Sequence, residues 1–166
     1  MISIFLLTAL VSGHANENRT EVSADFTVVH TEDSKPENFA AIDAAFLGIV
    51  QKFEALWGRN VTSSISFGEG LPPNALASCT LYTNGDGTHW GQITVARSLY
   101  RPGIVQNEIM IFHELGHCEL LRPHDTRMGQ TQSGQIIPYS IMYPVILYED
   151  IYTAYNYHYI KELFGR

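Results

Sequence analysis

Cysteine is scarce in this chain: only Cys79 and Cys118 occur among 166 residues. A disulfide-dense scaffold is excluded, and the fold must rest on a hydrophobic core with at most one cross-link. Two buried thiols acting as small hydrophobes are the alternative to that cross-link. Positive charge is also short, with ten Lys and Arg against seventeen Asp and Glu, a net charge of −7 and a pI near 5.4. No basic patch is left to neutralise phosphates, so nucleic acid is excluded as a partner and an anionic membrane surface is disfavoured. Long apolar runs are missing as well. The most apolar stretch opens the chain at Ile2, Ile4, Phe5, Leu6, Leu7, Ala9 and Leu10, well short of the roughly 20 residues that span a bilayer. No stable membrane anchor is therefore expected. Small residues follow at Ser12, Gly13 and Ala15, so residues 1–15 read as an export signal removed after Ala15, although no basic residue precedes the run. A buried N-terminal strand is the competing reading of the same stretch. Export would place the protein outside the cell or in a periplasm, where Cys79 and Cys118 can pair.

What is present is ordinary for a folded unit, with 45% hydrophobic and 16% charged residues. Residues 16–166 are expected to form a single domain, and a monomer is expected. Residues 25–30 have the β-branched content of a strand. Between Pro36 and Trp57, Phe39, Ile42, Phe46, Ile49, Val50, Phe53 and Leu56 recur at steps of mostly three and four, which predicts an amphipathic helix closed by Gly58. Strands are expected at 63–67, 78–82 and 91–96, with a loop at 68–74. The stretch Asn84-Gly85-Asp86-Gly87-Thr88 reads as a hairpin turn in preference to a calcium loop, whose spacing and terminal glutamate it lacks. A largely buried helix is predicted over 104–121, a loop over 122–140 and an aromatic-rich helix over 149–164. Tyr152, Tyr155, Tyr157 and Tyr159 are expected to pack around that last helix. His30, His89 and His158 have no spaced partners and read as surface or satisfied core residues.

The chemistry lies in His113-Glu114-Leu115-Gly116-His117. Histidines four apart stand one turn apart on the same helical face, so both imidazoles can reach one ion. A shuffled chain of this composition would contain the pattern on the order of 2% of the time. Unpaired imidazoles would be costly in so apolar a helix, and ligation of a metal accounts for them better. Zinc suits nitrogen ligands and, with a position left open, lowers the pKa of a bound water from about 15.7 to roughly 7. Glu114 follows the first ligand directly and is the candidate catalytic general base. A third ligand is then needed. His124, placed just after helix-breaking Pro123, is preferred; Asp125 is its rival and otherwise a neighbour able to orient an imidazole. Cys118 points about 100° away from His117 around the helix, which suits it to a disulfide rather than to the metal.

With these residues in place the chain resembles the metzincin metallopeptidases, whose signature is His-Glu-x-x-His-x-x-Gly-x-x-His followed by a methionine-containing turn. Ser140-Ile141-Met142-Tyr143-Pro144 is similar to that turn, and Met-Tyr-Pro in particular to that of the matrixins. The resemblance implies an α+β fold of zincin type, a twisted mixed β-sheet with an early helix, an active-site helix and a C-terminal helix. It also implies a zinc-dependent endopeptidase acting on polypeptides. Met142 would form a hydrophobic base under the metal. Residues 92–96 would be the edge strand that receives an extended peptide by strand addition, and Pro144, Val145 and Ile146 would line the specificity pocket. Two departures stand out. His124 lies seven residues beyond His117 where the signature has six, and Leu120 occupies the place of its helix-ending glycine. A secreted binding module with a structural zinc, and a zinc amidase acting on cell-wall peptides, are the alternative functions.

Overall fold

The computed structural model describes residues 4–5, 25–31, 41–72, 75–84 and 86–165. Strand β1 is Ile4–Phe5, β2 is Asp25–Thr31, β3 Ser64–Gly68, β4 Ala77–Asn84 and β5 His89–Ala96. They form one twisted mixed sheet in the order β1-β2-β4-β5-β3. The β2/β4 and β3/β5 pairs are parallel, and β1/β2 and β4/β5 are antiparallel. Helix α1 is Leu47–Trp57, α2 Val105–Cys118 and α3 Glu149–Leu163. Three helices against a mixed sheet agree with the α+β expectation. Among the described residues, no helix is long and apolar enough to cross a membrane. The cleavage point expected after Ala15 lies outside the described residues, as does the side chain of His30.

Alternation along the central strands sets the core. Ala77, Cys79 and Leu81 of β4, with Gly91, Ile93 and Val95 of β5, are buried on one face, while their sequence neighbours Ser78, Thr80, Gln92 and Thr94 are only half-buried. With a period of two, such a pattern turns one face of a sheet towards its helices. Helix α2 covers that face, and all its residues from Ile109 to Cys118 are buried. Phe53 of α1 meets Phe112 of α2 edge to face at 5.2 Å and Phe164, just past α3, at 5.1 Å, so the three helices share one aromatic contact.

Cys79 and Cys118 are joined in a disulfide with Cα atoms 5.9 Å apart. This bond pins the last residue of α2 to the middle of the sheet. Room for it comes from Gly91 on β5, where a Cβ atom would lie 2.6 Å from both Cβ and Sγ of Cys118.

Three expectations are corrected. The early helix begins later than its periodicity suggests. Ile42 is bridged to Ile65 of β3 in extended conformation, with Asp43 N–H donating to the Ile65 carbonyl at 2.9 Å. The Asp43 carboxylate then accepts from Ala45 N–H at 3.0 Å and starts a short 3₁₀ turn, Ala44–Phe46, that leads into α1. Residues 36–40 lie outside the described residues. The loop expected over 122–140 contains a small hairpin, β6 Met128–Gln130 paired antiparallel with β7 Ile136–Pro138. Residues 92–96 are not an edge strand, because β5 is hydrogen-bonded to β4 on one side and β3 on the other. Both rows of its backbone groups are taken, so it has none to offer an incoming peptide.

Strands β4 and β5 are antiparallel neighbours, as the expected hairpin requires. Thr88 N–H and Oγ1 donate to Asp86 Oδ1 at 2.8 and 2.7 Å, and these bonds hold the exposed carboxyl below its usual pKa.

Candidate metal centre

Helix α2 carries His113, Glu114 and His117, all fully buried. His113 Nδ1 donates to the carbonyl of Ile141 at 2.8 Å, and His117 Nδ1 donates to that of Arg122 at 2.6 Å. A carbonyl can only accept, so in the neutral rings the proton sits on Nδ1 and each Nε2 presents a lone pair. Those lone pairs converge. His117 Nε2 is 3.1 Å from His113 Nε2, which is 3.3 Å from His124 Nε2. One ligand atom from each of the three rings falls within 4.8 Å of the others.

Lone pairs at such distances repel unless a cation lies between them. Protons are poor candidates. Burial pulls His113 down to about 4, reinforced by the His124 charge and opposed by the Ile141 carbonyl. Burial also holds His117 well below its ordinary value, helped by His113 and His124. A metal fits the spacing: with metal–nitrogen bonds of about 2.0–2.1 Å, tetrahedral geometry puts neighbouring nitrogens roughly 3.3–3.4 Å apart. Three imidazoles are therefore able to hold a metal ion and leave a fourth position for another ligand. Imidazole suits several first-row divalent ions, so the donor set alone does not select zinc.

The seven-residue step from His117 to His124 follows from how α2 ends. Glu119 N–H bonds to the Leu115 carbonyl in the ordinary i→i−4 pattern, Leu120 N–H reaches the same carbonyl at 3.4 Å, and Arg122 N–H reaches back to Gly116 at 3.0 Å. The last turn thus widens by stages. Leu121 takes the left-handed conformation at φ 54°, alone among the described non-glycine residues. The position that reverses the chain is Leu121, one residue after Leu120, and the added residue sits in the widened turn. His124 still arrives opposite His113.

Leucine is a poor occupant of that conformation, which costs a non-glycine residue about 1–2 kcal/mol. The residue is 47% exposed, so about half of it gains nothing from burial. Leu121→Gly is therefore expected to raise stability by about 0.5–1 kcal/mol after the added freedom of the unfolded chain is subtracted. In a thermal melt this corresponds to a rise of about 1–4 °C, and an unchanged or lower midpoint would contradict the strain assigned to Leu121.

Around the imidazoles the structure places several more groups. Met142 is fully buried and lies against Gly116, where a Cβ atom would come within 2.3 Å of its Sδ. Only glycine between Leu115 and His117 lets the thioether lie against the helix here. Phe26 of β2 stacks on the His117 ring, with centroids 4.7 Å apart and planes 12° from parallel. Both carboxylate oxygens of Glu114 are shielded from solvent. Glu114 stands three residues before His117, on the same side of the helix.

Asp125 is not among the clustered ligands. Its carboxylate accepts from Arg127 Nε at 2.9 and 3.0 Å, and those contacts lower its pKa. The bonds that orient His113 and His117 come from backbone carbonyls and not from Asp125. Pro144 and Val145 are half-buried, while Ile146 belongs to the core. His158 bonds to the Tyr139 carbonyl at 2.8 Å, and the Tyr159 hydroxyl donates to the Pro138 carbonyl at 2.9 Å, so both are satisfied within the fold.

Phe26, Arg122 and Ile141 also contact the histidine rings, and none of the three is legible as a site residue in the sequence. Phe26 lies 91 positions from the ring it covers, and the other two act through backbone atoms, which residue type does not reveal. Comparison of the chain with protein-family models, with curated proteins and with solved structures found no match in any of the three.

Proposed function

We propose that the protein is a secreted zinc-dependent endopeptidase of metzincin type. The observation that carries this reading is the convergence of three imidazole Nε2 atoms, two of them on carbonyl-fixed rings, on the helix face that also bears Glu114. Zinc bound there would act as a Lewis acid, polarising a scissile carbonyl and acidifying a water. His113, His117 and His124 would hold it. Glu114, enclosed and fixed in the helix, would accept the proton of the attacking water and deliver it to the leaving amine nitrogen. The Cys79–Cys118 bond supports export to an oxidising compartment. The half-buried Pro144 and Val145 would favour an apolar residue just after the cleaved bond.

The test is metal analysis of purified protein together with cleavage of a mixed peptide library, for wild type and Glu114→Ala. Bound zinc in both, with turnover reduced by about 10²–10⁴ in the variant, is the expected result. Metal without cleavage by either protein would replace the enzyme with a binding module. Cleavage confined to cell-wall peptides would move the substrate to a different class.

A further inference from the structure

We infer that Glu162, near the end of α3, is a positioning residue for the metal ligands, acting through the two backbone carbonyls that hold His113 and His117. The inference rests on the metal-site reading above. One oxygen of the Glu162 carboxylate pairs with Arg122 Nη2. The other accepts from Ser140 Oγ at 2.6 Å. Each of these partners is tied to one ligand. The carbonyl of Arg122 itself receives His117 Nδ1, and the carbonyl of Ile141, next to Ser140, receives His113 Nδ1.

The surrounding bonds leave both segments little freedom. Arg122 Nη1 also donates to the carbonyls of Glu162 and Leu163 at 2.7 and 2.9 Å, so its side chain closes the end of α3. Because the Ser140 hydroxyl donates to Glu162, its lone pair is turned to Met142 N–H, 3.0 Å away. Asp125 N–H donates to the Met142 carbonyl at 2.9 Å and joins the two segments directly. Glu162 thus links the loop after α2 to the turn that precedes α3, with its side chain only 9% exposed. A carboxylate suits this position because it accepts from both sides. Glutamine can accept through only one terminal atom and would turn an N–H₂ towards Arg122 or Ser140.

If the carboxylate served only to hold α3 in place, its loss would lower stability and leave the ligand geometry unaltered. If it positions the rings, metal affinity and ligand field must change with it. The experiment measures Zn²⁺ affinity by competition with a chromophoric chelator, and the visible spectrum of the Co²⁺-substituted protein, for wild type, Glu162→Gln and the milder Ser140→Ala. Tyr152→Phe, which removes a hydroxyl that donates to Glu108 in the first turn of α2 at 2.8 Å, serves as a stability control. The expected result is a fall in Zn²⁺ affinity of about 10- to 100-fold for Glu162→Gln, a smaller fall for Ser140→Ala, and a shifted Co²⁺ band in both. Tyr152→Phe should lower the melting point without either change. Combined with Glu162→Gln, Ser140→Ala should cost little more, because both cut the same link. Unchanged affinity and spectrum in folded Glu162→Gln, or in Ser140→Ala should the first variant not fold, would overturn the inference and leave the metal site standing. A wild-type protein that binds neither ion would overturn both.

Discussion

His124→Ala is expected to weaken binding of divalent metal by about 10²- to 10⁴-fold, whereas Asp125→Asn should change it by less than about fivefold. A structural zinc contributes about 10–16 kcal/mol to its folded site, so one imidazole of three accounts for roughly 3–5 kcal/mol of a comparable total. His124 Nε2 lies 3.3 Å from His113 Nε2, among atoms able to share one ion. The Asp125 carboxylate is instead held by Arg127, whose side chain is 65% exposed. Ion pairs of that kind are worth about 0–1 kcal/mol. Asparagine would keep an oxygen for the Arg127 N–H that donates to Asp125 Oδ1 at 3.0 Å. Chelator competition at neutral pH checks both variants. A larger loss for Asp125→Asn than for His124→Ala would transfer the ligand role to the carboxylate.

Loss of the cross-link should have the next largest effect. Opening a loop with sequence separation 39 removes a constraint on the unfolded chain worth about 4 kcal/mol in the loop-entropy treatment. Cys79→Ala combined with Cys118→Ala is expected to lower the melting point by about 8–16 °C. Chemical reduction should lower the wild-type midpoint similarly and leave the variant where it is. Midpoints of wild type and variant within about 2 °C of each other would mean that the bond stabilises little.

The parts of the fold legible in the sequence are those written in local periodicity or in a compact motif. The apolar spacing of α2, the aromatic α3, the turn at Asp86 and the His113/His117 pair all belong to this kind, and the structure brings His124 to them. The start of α1 was not legible in the same way. Ile42 fits a three- and four-residue pattern, yet its backbone is bridged to Ile65. The capping carboxylate of Asp43 is the signal that would have moved the helix start. Strand order was also out of reach. The alternation in β5 shows which face is buried, but an edge and a centre differ only in whether distant strands occupy both flanks, as β3 and β4 do here. Leu121 hid the end of the ligand turn because the residue type that usually marks a left-handed position is absent. Glu162 gave no sign, since its partners lie 40 and 22 residues away.

Cys118 follows His117 directly, so the cross-link and a candidate metal ligand occupy adjacent positions at one helix end. Two binding events that restrict the same few residues are thermodynamically linked, and the linkage is reciprocal. Any factor by which the closed disulfide tightens metal binding is the same factor by which bound metal shifts the thiol–disulfide equilibrium towards the closed form. A chelator should then make the bond easier to reduce, and a reductant should make the metal easier to remove. If the closed bond favours the metal-binding arrangement, an oxidising compartment supplied with the metal would promote both modifications together, and a reducing one would oppose both.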